Sequence, residues 1–156
     1  MKPLIQKKGD LIKAFQANKV DYIMHCVNCQ GVMGGGIAKQ IKDTFPVVYS
    51  EYVKYCKEIS DSNENLLGNV LIVDNVINIF AQNNFGMYER QVHYGALWSC
   101  LAVLSSGFNE IKHSGKVRVG VPKLMCCGLA GGSWEVVSEM LEAFPPWVEI
   151  VVYDFN

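Results

Sequence analysis

Apolar, β-rich runs alternate with amphipathic helical patterns along this chain, and that alternation limits the fold more than any other feature. The runs "YIMHCV", "VRVGVP" and "VEIVVYDF" are each separated from the next by helical stretches, which predicts parallel strands with helices on both faces. "NVLIV" and "VINIFA" are the exception, because only the tight turn Asp74-Asn75 lies between them and a hairpin follows. The expected architecture is an α/β, three-layer α/β/α sandwich with a mixed, largely parallel central sheet. "LIQKK" adds a short first strand, and Asp10 is placed to cap a short helix, "LIKAFQA", with Leu11, Ala14 and Phe15 on one face.

The remaining helices follow from spacing. "GIAKQIKDTF" sets Ile37, Ala38, Ile41 and Phe45 on one stripe ended by Pro46, and "VVYSEYVKYCKEI" makes the next helix. "QVHYGALWSCLAVLSSGF" repeats Tyr94, Leu97, Trp98, Leu101 and Leu104 at helical spacing, so all five are expected in the core. "SWEVVSEMLEAF" stops at Pro145-Pro146.

With 156 residues, half of them hydrophobic, the chain is expected to form one domain over residues 1–156. Its formal charge of −1, with both signs interspersed, supplies no field that gathers nucleic acid or anionic membrane. Any phosphate must be held locally. The start "MKPLIQKKGDL" lacks an apolar signal core, and no apolar run reaches the roughly 20 residues of a spanning helix, so a soluble, cytoplasmic protein is expected. A core of this size needs no disulfide staples, so the six cysteines are expected to be reduced. Cys26 and Cys29 have a C-x-x-C spacing without a second such pair, and adjacent Cys126 and Cys127 suit zinc poorly; no metal and no cofactor are expected.

Two glycine loops carry the functional signal. "VNCQGVMGGG" leaves the end of a buried strand and enters a helix near Ile37, the position at which open α/β sheets bind ligands. Its glycines let the backbone approach an anion, and the first N–H groups of the helix point at it. The pattern is neither G-x-G-x-x-G nor a P-loop, since no Lys-Ser/Thr pair closes it. "MCCGLAGGSW" is a second strand-to-helix loop, in which Gly128, Gly131 and Gly132 suit a backbone anion nest. Either loop alone also reads as a tight turn with positive φ; together they point to a diphosphate.

The ordered set "GDL", "HCVNCQGVMGGGIAKQI" and "CGLAGGSW" resembles the macrodomain family of ADP-ribose-binding proteins over nearly the whole chain. "YVKYCKE" and "NLLGNVLIV" make it most similar to the branch that hydrolyses ADP-ribose 1''-phosphate, with the terminal ADP-ribose glycohydrolases as close relatives. The resemblance implies that Asp10 accepts from the adenine amino group while the Leu11 N–H positions the base. Helix capping by Asp10 is compatible with that role. It implies further that Gly34, Gly35, Gly36 and Ile37 face the distal ribose and one phosphate, and that Gly128, Leu129, Ala130, Gly131, Gly132 and Ser133 hold the diphosphate. Asn28 either contacts the distal ribose or satisfies loop backbone. Phe85, in "AQNNFG", is either a stacking wall or part of a turn, and Tyr153 meets adenine or packs in the core.

His25 occupies the position of a family histidine tied to catalysis, and a neutral imidazole can carry a proton near pH 7; on an apolar strand it reads equally as a core residue. His93, in a helix, and His113, in a polar loop, receive no role. The glycohydrolase branch uses a lysine after the middle strand and an aspartate in the second loop, where this chain has Gln82 or Asn83 and Ala130. A lysyl-adduct mechanism therefore has no lysine there. The expected activity is a metal-independent phosphatase on ADP-ribose 1''-phosphate. The alternatives are a hydrolase that removes ADP-ribose from protein or nucleic-acid ends, and a reader that binds ADP-ribose without turnover. Expected partners are these nucleotides and ADP-ribosylated protein, with nucleic acid only as modified ends and no membrane.

Overall fold

The computed structural model describes residues 2–86, 90–110, 115–128 and 130–155. In chain order the elements are β1 (Ile5–Lys8), α1 (Leu11–Gln16), β2 (Tyr22–Asn28), α2 (Gly36–Thr44), α3 (Pro46–Asp61), β3 (Val70–Val73) and β4 (Val76–Gln82). Then follow α4 (Tyr94–Glu110), β5 (Val117–Pro122), α5 (Trp134–Glu142) and β6 (Val148–Asp154). The six strands form one sheet in the order β1-β6-β5-β2-β4-β3, parallel throughout except for the β3–β4 hairpin. Asp74 and Asn75 both take positive φ, 48° and 65°, which is the backbone twist that a two-residue hairpin turn requires.

Side-chain alternation on the strands sorts the core into two layers. Met24 of β2, with Ile77 and Ile79 of β4 and the inward residues of β5 and β6, packs under α4 and α5. On the opposite face Ile23 and Val76 meet Leu11 of α1, Ile41 of α2 and Val48 of α3, while Val27 and Phe80 meet Tyr52 and Cys56 of α3. β2 is thereby covered on both faces, which explains its unbroken apolar character. No helix among the described residues is long and apolar enough to cross a membrane.

Two expectations are corrected by packing. Trp98 lies on the buried stripe by spacing, yet it is 49% exposed, because α4 seats Leu97, Leu101 and Leu104 against the sheet and turns Trp98 toward its rim. Cys26 and Cys126 are joined as a disulfide, with Cα atoms 5.8 Å apart, instead of remaining reduced. β2 and β5 are neighbours in the sheet, so the fold brings together two residues 100 positions apart in sequence. Cys29, Cys56, Cys100 and Cys127 are free thiols.

Candidate functional site

Because β1, β6, β5, β2 and β4 run parallel, their carboxyl ends share one edge of the sheet, and the loops that leave β2, β4 and β5 build a cleft of about 670 Å³ there. The loop after β2 forms one wall. β2 and β4 change register between Val27 and Asn28, a bulge that ends the ladder and turns the Asn28 side chain into its own loop. Asn28 Oδ1 accepts from the Gln30 N–H at 3.0 Å and the Val32 N–H at 3.4 Å, and Nδ2 donates to the Val32 carbonyl at 2.8 Å. The buried Tyr52 hydroxyl lies 2.7 Å from the Asn28 carbonyl and 2.9 Å from Oδ1 and donates to them. Burial pushes the Tyr52 ionisation far above its ordinary value, so it remains a donor. Asn28 thus organises loop backbone while still lining the cleft.

The four residues Gly34, Gly35, Gly36 and Ile37 all line the cleft. Gly35 is the N-cap of α2, and Gly36 sits at φ +55°, a left-handed conformation that suits glycine. Among the described residues none of their N–H groups donates a hydrogen bond within the protein, so four donors meet the cleft at the positive end of a nine-residue helix. On the neighbouring wall the loop after β4 is tied to the first loop, with the Cys29 N–H and Gln30 Nε2 both donating to the Asn83 carbonyl. Gln82 and Phe85 line the cleft there, and the Phe85 ring is 53% exposed. The N–H of Phe85 donates to Asn84 Oδ1, so a side-chain turn shapes this loop.

The second glycine loop is only partly as expected. Gly128 and Ala130 line the cleft, whereas the Gly131 N–H donates to the Gly128 carbonyl, the Gly132 N–H to the Cys126 carbonyl at 2.9 Å, and the Ser133 N–H to the Tyr94 hydroxyl at 2.8 Å. Those three donors are consumed in closing the turn and seating α5, so they do not face a ligand. Gly132 has no room for a side chain, since a Cβ would come within 2.5 Å of the Cys126 carbonyl oxygen. Leu129 lies outside the described residues, as does His113. His93 precedes α4 instead of lying in it, and its Nδ1 accepts from the Ala96 N–H as a helix cap.

The residues expected to meet adenine fall beside the cleft. Asp10 caps α1 by accepting from the Lys13 N–H at 3.1 Å and remains half-buried at the end of β1, with Tyr153 close by on β6. Leu11 is buried and lines neither the cleft nor the space beside Asp10. Lys123, on the cleft wall directly after β5, was not singled out by the sequence; its Nζ pairs with Asp154 at 3.1 Å. Its signal was topological, the position just past a strand's carboxyl end. It is the one charged side chain lining the cleft among the described residues.

His25 is the main correction. It is fully buried on the α1–α3 face of β2, opposite Asn78 in the register, with Nε2 donating to Asn78 Oδ1 at 2.6 Å, and it does not line the cleft. Asn78 fixes that tautomer, because its own Nδ2 donates to the Leu71 and Val76 carbonyls. Nδ1 is buried without a partner. Burial pulls the imidazole ionisation down to about 4, against a smaller upward effect from Asn78. The thiols near the first loop are equally muted, with burial pushing Cys29 up to about 11.

Three comparisons bear on this geometry. A family model described as the Macro domain matches residues 13–78. An ADP-ribose 1''-phosphate phosphatase of Candida albicans is 32% identical over 146 residues, 88% of this chain and 90% of that protein. A DNA ADP-ribosyl glycohydrolase of Mycobacterium tuberculosis is 32% identical over 152 residues, 93% of this chain but 40% of that protein. Among solved structures, the macrodomain of Mycobacterium tuberculosis DarG superposes with a TM-score of 0.78 at 26% identity, over 100% of both chains.

A histidine held neutral in the fold, yet charged below about 6.5 when unfolded, gives stability that is complete above that pH and falls as pH drops toward 4. The expected loss across that window is about 3 kcal/mol, read from urea midpoints. The ring resonances of His25 should still be those of neutral imidazole at about pH 5.5. A ring that titrates near 6.5, with stability flat from about pH 7 to 5, would contradict its buried placement.

Proposed function

The chain belongs to the macrodomain family, and on that footing we propose that it binds ADP-ribose along the carboxyl edge of its sheet and hydrolyses ADP-ribose 1''-phosphate to ADP-ribose and phosphate. The observation that carries this reading is the row of four N–H groups at residues 34–37 that donate to nothing among the described residues, set in a cleft where Lys123 is the one charged side chain among those residues. Backbone donors fixed in direction hold phosphoryl oxygens without reorganising, which suits attack of water on a phosphate ester whose phosphoryl oxygens carry negative charge throughout while the ribose 1''-oxygen departs. Asp10 receives the adenine amino group, Asn28 and the first loop meet the distal ribose, and Phe85 covers it. Gly128 and Ala130 approach the diphosphate from the opposite side.

His25 has no direct part in this scheme. It is a positioning residue that keeps β2 and β4 in register behind Asn28. The glycohydrolase reading is supported by the mycobacterial relative, but Gln82 or Asn83 stands where that chemistry uses a lysine, and Ala130 where it uses an aspartate.

Phosphate release from ADP-ribose 1''-phosphate, measured beside ADP-ribose release from a modified oligonucleotide and a modified protein, tests the assignment. Turnover of the phosphate ester alone is expected. Release of ADP-ribose from either macromolecule instead would make the glycohydrolase reading the right one, and binding without turnover would make the domain a reader. Asp10→Asn keeps a helix cap but presents an amide donor to the adenine amino group, so ADP-ribose affinity by calorimetry should fall about 10- to 100-fold with thermal stability nearly unchanged. Gly35→Glu sets a carboxylate at the α2 N-terminus, favourable for the helix and repulsive to phosphate. It should fold normally and lose ADP-ribose binding. Full affinity in either variant would displace that residue from the site.

A further inference from the structure

We propose that the cleft accepts an ADP-ribose whose adenosine is the first residue of a nucleotide strand, and that the strand's phosphates lie in a basic groove beside α1. The proposal rests on the ADP-ribose reading above. Although the chain is close to neutral, five of its lysines fall within the first 20 residues, where Asp10 is the single acid. The fold gathers four of them, Lys7, Lys8, Lys13 and Lys19, around one groove of about 840 Å³. All four are exposed, and among the described residues none is in an ion pair. Arg118 also lines the groove but is engaged by Glu149 at 3.2 Å.

The groove exists because α1 has only six residues, roughly 9 Å of helix, and leaves part of β1 and β6 uncovered. Its floor carries Ile5, Val151 and the half-buried ring of Tyr153. An apolar floor with an aromatic ring and a rim of unpaired lysines is the arrangement that holds a single strand, with bases below and phosphates at the edge. A flat anionic bilayer would not reach that floor.

Position selects the attachment point. Asp10 and Tyr153 belong to the groove, and Tyr153 adjoins the cleft through Pro122, its register partner, and the Lys123 N–H, which donates to its carbonyl at 2.9 Å. The groove therefore leaves the adenosine end of the proposed ligand, and it is through the adenosine ribose hydroxyls that a phosphodiester chain continues from ADP-ribose. A strand attached at the distal ribose would leave from the opposite end, near Phe85.

The test compares three probes by calorimetry at about 50 mM salt: ADP-ribose, ADP-ribose extended from its adenosine 3'-hydroxyl by a short oligoadenylate, and the oligoadenylate alone. The extended ligand should bind about 10-fold or more tighter than ADP-ribose, with the advantage shrinking as salt rises. The Lys7→Ala/Lys13→Ala/Lys19→Ala variant should lose that advantage and keep its affinity for ADP-ribose. Equal affinity for the two ligands, an advantage that survives the triple substitution, or oligoadenylate binding as tightly as the extended ligand would each overturn the proposal. Absence of binding by ADP-ribose itself would instead remove the reading on which it rests, and the proposal with it.

Discussion

The cleft depends on how a strand buried on both faces is allowed to end. β2 leaves the ladder inside the protein, where unpaired backbone groups are costly, and Asn28 supplies the missing partners for Gln30 and Val32 while Tyr52 holds Asn28 from beneath. Satisfying that short segment leaves the next one, residues 34–37, lining the cleft with N–H groups that donate to nothing among the described residues. Tyr52 is fully buried and stacks on Phe80 of β4, so the loop is anchored to the rigid core and the donors are fixed before any ligand arrives.

The two glycine loops, similar as sequence, consequently do different work. In the first, the N–H groups of residues 34–37 have no partner among the described residues; in the second, three are spent on the turn and on Tyr94, which secures the start of α5. The second loop contributes shape through Gly128 and Ala130, and its constraint is steric, as the contact between a would-be Gly132 side chain and the Cys126 carbonyl shows. The charge in this site comes from oriented peptide groups more than from ionised side chains, which fits a protein whose lysines gather elsewhere.

Much of the fold was legible because it follows from local pattern: the hairpin from Asp74-Asn75, the α1 cap from Asp10, and the parallel strands from their separation by helices. The misreadings share a cause, which is that direction is set by tertiary packing. His25 and Cys26 are neighbours on β2, yet alternation sends one into the core against Asn78 and the other into the cleft wall against Cys126. Trp98 shares the periodicity of Leu97 and Leu101 but falls at the margin of the buried stripe. The sequence likewise concealed the groove, because Lys7, Lys13 and Lys19 lie on different elements and converge only when β1 and α1 dock.

The claim that the free amides of the first loop are the anion-binding element is tested most directly by titrating ¹⁵N-labelled protein with ADP-ribose and following individual amide resonances. The account predicts the largest shifts at Gly34, Gly35, Gly36 and Ile37, with a second group at Asp10 and Leu11. It predicts small shifts at Gly131, Gly132 and Ser133, whose N–H groups are already engaged. Saturation that leaves residues 34–37 unmoved, or that perturbs Gly131 to Ser133 most strongly, would contradict it.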